Sequence, residues 1–182
     1  MSYQRFAPNV HSLAIWLLSA YLFYCLLLFY AIPELMAYTG PSVPLGMRLR
    51  YTEDEAFIWL SSLRDDGSFY YLYFYSALDM VFPALYGYAL FRAIRYLLQL
   101  TAQRWRGAQK LRWLAALPVI GAAFDYLENC SIIAMVVGFP EFPESIAAAA
   151  SLGTSLKTVC MAAAMLTFLA LLPTAAVSRT RG

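Results

Sequence analysis

Apolar residues dominate four stretches of the chain, at about residues 12–36, 69–98, 111–138 and 145–172. Each exceeds the roughly 20 residues that an α-helix needs to cross a bilayer. The polar positions gather between them. This pattern predicts an all-α integral membrane four-helix bundle, a single four-span domain over residues 1–182. The first apolar run, Leu13 to Met36, is longer than the roughly 7–15 residues of a signal peptide core. It reads as a retained span.

The first connection, residues 37–68, carries its own pattern. Thr39-Gly40-Pro41 and Pro44 break the helix. Thr52 and Glu55 have capping-box spacing, and Glu53, Asp54 and Glu55 suit a helix N-terminus. Ala56, Phe57, Leu60 and Leu63 form an apolar stripe that Arg64-Asp65-Asp66-Gly67 ends, with Ser68 placed to cap span two. Two readings stand: a short amphipathic helix on the membrane surface, or an ordered loop packed on the bundle.

Composition removes the soluble alternatives. The chain is 62% hydrophobic and 13% charged, with mean hydropathy +0.59. Too little polar surface remains to coat a water-soluble globule. The net charge is +2, but its distribution says more. The second connection holds Arg92, Arg95, Arg104, Arg106, Lys110 and Arg112 without an acid. With Arg5, Arg179 and Arg181 they put nine cations on one side, against Arg48, Arg50 and Arg64 on the other. The positive-inside rule then places both termini in the cytoplasm and the first connection outside. Cations beside apolar spans suit lipid headgroups, and no nucleic-acid partner is expected. Cys25, Cys130 and Cys160 lie in apolar runs and read as small buried residues. With no C-x-x-C motif and only His11, neither a metal site nor a cofactor is expected. Most of the Tyr70, Tyr71, Tyr73 and Tyr75 cluster reads as an interfacial aromatic belt, and Glu34 as an interfacial residue.

Three spans carry ionisable residues far from their ends: Asp79 in span two, Asp125 and Glu128 in span three, Lys157 in span four. A charge at a span centre costs about 2.5–3.5 kcal/mol on insertion scales. The alternating directions of the spans bring all four to similar depth. Asp125, Glu128 and Asn129 share one face at i, i+3 and i+4, continued by Pro118 and Gly121. Asp79, Pro83 and Tyr86 share a face of span two, where Pro83 removes a helical hydrogen bond and frees a carbonyl near Asp79. Ala149, Gly153 and Lys157 share a face of span four, small enough for close helix approach. Asp79, Asp125 and Glu128 are the candidate catalytic residues. Asn129, Lys157 and Tyr86 are candidate ligand contacts, with Asn129, Tyr86, Ser76 and Thr154 also fitting a role as interhelical glue. Three carboxyls against one lysine leave a negative excess, which a proton or a cationic ligand would balance.

Three functions fit this pattern. The first is an intramembrane pocket for an apolar or amphipathic molecule, with acid–base chemistry of isomerase or cyclase type. The second is a proton- or cation-coupled transporter acting as an oligomer, with room for a homodimer. The third is a structural or accessory subunit. The plan of four spans around acidic residues resembles small four-helix proteins of the emopamil-binding and sigma-2 receptor kind. The resemblance is one of architecture, and implies a ligand cavity without assigning residues to it. Membrane lipids are the expected partners. A bacterial inner membrane is the favoured location, with a eukaryotic internal membrane as the alternative.

Overall fold

The fold comes from a computed structural model that describes residues 10–103 and 105–179, with the backbone alone for 174–179. Arg5, Arg104, Arg181 and the Arg179 side chain, which enter the charge count, lie outside the described residues. Among the described residues the chain is all-helical. Four helical segments are long and apolar enough to cross a membrane: Val10–Thr39, Glu53–Ala102, Arg106–Gly138 and Glu144–Pro173. These match the four expected spans in order.

The first segment is α1 (Val10–Leu26), a π-helical turn (Leu27–Ala31) and α2 (Ile32–Thr39). Pro33 lies in the first turn of α2 and has no N–H to give the preceding turn. The widened turn ahead of it absorbs that break. Gly40, at φ 67°, then ends the helix in a conformation glycine tolerates.

After a 3₁₀ turn at Leu45–Met47, α3 (Glu53–Tyr70) begins with the expected capping box. The Thr52 N–H donates to Glu55 Oε2 at 2.8 Å, and the Glu55 N–H donates to Thr52 Oγ1 at 3.3 Å. Two expectations are corrected here. The buried stripe is Ala56, Trp59, Leu60, Leu63 and Gly67, while Phe57 turns outward against Phe139. Arg64 breaks the helix as expected, at φ 53°, but Asp65, Asp66 and Gly67 already belong to the next helical stretch. Helix resumes at once, so Ser68 caps nothing. Gly67 allows this, because a Cβ there would stand 2.9 Å from Tyr38 Cβ.

A second π-helical turn, Tyr71–Tyr75, leads into α4 (Ser76–Ala102). Tyr71 and Tyr75 are buried and stacked at 5.3 Å, with Tyr71 edge-on to Trp59. They are core residues and not belt residues. Tyr73 is exposed, and half-buried Tyr70 donates its hydroxyl to the Ala31 carbonyl. The third segment opens with an 11-residue 3₁₀ helix, Arg106–Ala116, before α5 (Leu117–Gly138). The α-helix thus starts later than the apolar pattern places it, with Pro118 in its first turn, where a missing N–H is harmless. α6 (Glu144–Arg179) completes the chain. The cysteines are a further correction: all three are free, Cys130 is exposed, and Cys25 and Cys160 are half-buried. Cys160 lies in the α5–α6 seam, its Cβ 3.3 Å from where a side chain on Gly121 would begin.

Small residues set those seams. A Cβ on Gly153 would stand 3.0 Å from the Phe124 carbonyl and 3.1 Å from the Glu128 nitrogen. The α5–α6 pair is therefore closest at the level of the acidic residues. A Cβ on Gly87 would stand 3.0 Å from Ala122 Cβ, which brings α4 against α5 nearby. The first segment leans on α4 through Trp16 against Tyr88 and through Arg92 donating to Ser12 Oγ at 3.0 Å. Backbone atoms opposite Gly153 cannot give way cheaply. Gly153→Ala is expected to destabilise the bundle by about 1–3 kcal/mol, the usual range for overpacking. Thermal unfolding in detergent checks this, with Ala149→Gly as a control on the same face.

Candidate functional site

The site is built on the buried face of α5. Asp125, Glu128 and Asn129 fall on one stripe because they are three and four residues apart, and all three are buried. α6 crosses that stripe at Gly153, and one turn further on Lys157 reaches back to it. Its Nζ lies 2.9 Å from Asp125 Oδ1 and 2.7 Å from Glu128 Oε2. One ammonium thus bridges two carboxyls on a neighbouring helix.

α4 adds two contacts. Tyr86 donates its hydroxyl to Asp125 Oδ2 at 2.9 Å. With Lys157 on the other oxygen, the Asp125 carboxyl is partnered on both sides. The second contact follows from Pro83. Lacking an N–H, it leaves the carbonyl four residues earlier without its helical donor. That carbonyl belongs to Asp79, and Asn129 Nδ2 donates to it at 3.2 Å. The expected free carbonyl is therefore used to join α4 to α5. The Asp79 side chain is half-buried, and among the described residues it makes no hydrogen bond or ion pair.

Glu128 differs from Asp125. It is 0% exposed, and Oε1 has no hydrogen-bond partner although Oε2 meets the lysine. Oε1 points at the first connection: a Cβ on Gly46 would stand only 2.8 Å from it. Only glycine lets the backbone come so near. Residues 44–52 form a strap over the carboxyl, fixed to α6 at two points. The Tyr51 N–H donates to Ser151 Oγ at 3.0 Å, and Ser155 Oγ donates to the Leu49 carbonyl at 2.7 Å. Ser151 and Ser155 are one helical turn apart and flank Thr154, which donates to the Ala150 carbonyl at 3.0 Å. Tyr51 is buried, and its hydroxyl has no hydrogen-bond partner. Burial first, and then the nearby Glu128 charge, push the Tyr51 phenol above its ordinary range. It is therefore a neutral donor beside an acceptor.

Asp125, Glu128, Asn129, Lys157 and Tyr86 form one connected group, and Asp79 joins it through its backbone. Sequence reading missed Gly46, Tyr51, Ser151 and Ser155. The available signal was the hydroxyl ladder Ser151, Thr154, Ser155 and Thr158 on a span otherwise rich in alanine. Among the described residues no three His, Cys, Asp or Glu side chains are grouped to hold a metal ion. No protein-family model matches the sequence, and no curated protein or solved structure matches it either.

Removing one partner from a buried ion pair leaves an uncompensated charge, a loss of about 3–5 kcal/mol. Lys157→Met strands two carboxyls and is expected to lower stability by that order in equilibrium unfolding. Adding Glu128→Gln to Lys157→Met should recover part of the loss. A loss below about 1 kcal/mol would show that the lysine does not hold the bundle together.

Proposed function

We propose that the polar centre receives the polar end of an apolar or amphipathic, lipid-like molecule whose body lies among the spans. The observation that carries this reading is the Glu128 carboxyl, fully buried with Oε1 unpartnered. A buried polar atom without a partner is costly, and a bound molecule relieves it. Titratable residues inside membrane spans are costly and commonly mark functional sites. The negative excess favours a ligand that brings a proton donor or a cationic group to Glu128 or Asp79.

The same groups suit acid–base chemistry on an alkene. A protonated carboxyl at Glu128 gives its proton to a double bond. The carbocation formed is stabilised by the remaining carboxylates. Asp79 then takes a proton from a neighbouring carbon, and the double bond has moved with no net change in atoms or electrons. Lys157 sets the charge of this centre, and Asp125, paired on both oxygens, holds the lysine in place. The cation count supports an orientation with both termini in the cytoplasm and the strap outside. The helix from Glu53 to the Arg64 kink, with its buried and outward sides, then lies at the outer membrane surface.

A structural role is the second reading, favoured by one observation: Asp125 is fully paired by Tyr86 and Lys157, as interhelical glue requires. Native mass spectrometry of the protein purified in mild detergent separates the two. The proposed function expects a retained small molecule, lost or much reduced in Glu128→Gln and weakened in Asp125→Asn. Retention unchanged in both variants, or a bare protein throughout, would favour the structural role.

A further inference from the structure

At the other end of the bundle, the second connection forms a surface that the acidic centre does not use. From Met80 to Phe124 there is no acidic residue, while six cations fall in that stretch. Trp105 precedes the 3₁₀ helix Arg106–Ala116, and the helix turns these residues into a two-sided element.

A 3₁₀ helix has three residues per turn, so every third side chain falls on one row. Ala108, Leu111 and Leu114 make the inward row, and Ala115, at the end of the row that begins at Arg106, turns inward with them where the helix joins α5. Ala108 and Ala115 are fully packed against Ile94, Leu97 and Leu98 of α4 and Ala164 of α6. The two outward rows are Arg106, Gln109 and Arg112, and Gly107, Lys110 and Trp113. Arg106, Lys110 and Arg112 are all exposed. Trp113 is 63% exposed and Trp105 57%. The Trp105 indole folds back over Gly107, where any side chain would collide with it. The helix thus presents a cationic, tryptophan-edged face opposite an apolar one. On α4, Arg95 is exposed as well, its guanidinium 5.4 Å from the Phe91 ring.

We propose that this face binds the phosphodiester headgroups of anionic phospholipids. Charge complementarity supports that occupant, because three exposed cations stand on adjacent rows about 6 Å per turn apart with no acid near them in sequence. Exposed tryptophans at both ends suit the headgroup–acyl boundary.

The test uses the full chain in nanodiscs of dioleoylphosphatidylcholine containing a minority of dioleoylphosphatidylglycerol. Lipids retained after extraction are counted by native mass spectrometry. Phosphatidylglycerol is expected to be enriched among them, and high salt to reduce the enrichment. The triple variant Arg106→Gln, Lys110→Gln, Arg112→Gln should lose retention by about fivefold per cation removed. Its unfolding temperature in pure phosphatidylcholine serves as the folding control. Should that fall, Arg106→Lys with Arg112→Lys keeps the charge and is expected to keep the enrichment. Equal retention of the two lipids, enrichment unchanged in the triple variant, or its loss in the lysine variant would overturn the proposal. So would inorganic phosphate stabilising the protein as strongly as phosphatidylglycerol does.

Discussion

The rest of the structure depends on one lysine held between two carboxyls. Lys157 reaches Asp125 and Glu128 from α6 at 2.9 Å and 2.7 Å, across a seam that Gly153 makes narrow enough. In a low-dielectric interior, each of these charges is tolerable only beside the others. α4 is tied to the same point through Tyr86 on Asp125 and Asn129 on the Asp79 carbonyl. The strap is tied to it through Gly46 over Glu128 and through the two serines of α6. Three helices and a loop thus converge on one ammonium group.

The carboxyls divide the work unequally. Asp125 has a partner on each oxygen and reads as the fixed part of the centre. Glu128 has one oxygen spare, and the Asp79 side chain has no partner among the described residues. A purely structural network gains from satisfying every member, since a half-satisfied buried network is worse than an apolar core. The spare acceptor, the neighbouring unpartnered Tyr51 hydroxyl and the covering strap together support the proposed binding site over a dry joint.

Much of this was legible in the sequence, because the physics involved is local or periodic. Span length gave the four helices. The i, i+3, i+4 spacing put Asp125, Glu128 and Asn129 on one face, and Pro83 announced the carbonyl that Asn129 takes. The Thr52–Glu55 box marked the start of α3. What escaped depends on which side of a helix faces a neighbour, and that is a tertiary property. Phe57 and Trp59 are both apolar, and only packing turned one out and the other in. Tyr71 and Tyr75 look like belt residues until Trp59 is found beside them. Gly46 looks like a turn glycine until a carboxylate from a distant span is found above it. The 3₁₀ helix escaped because Leu111 and its apolar neighbours read as the start of a span.

Asp125 and Glu128 share one lysine and the Asp79 carboxyl has no partner among the described residues, so the proposed ligand-free centre holds at least one proton. Infrared difference spectroscopy of the ligand-free protein at neutral pH tests it directly. The expected result is a protonated carboxyl C=O band that is altered in Glu128→Gln or Asp79→Asn and retained in variants of Glu53 or Asp54, which lie in the exposed first turn of α3. A spectrum with no protonated carboxyl at neutral pH, in a sample shown to be free of bound ligand and ions, would contradict it.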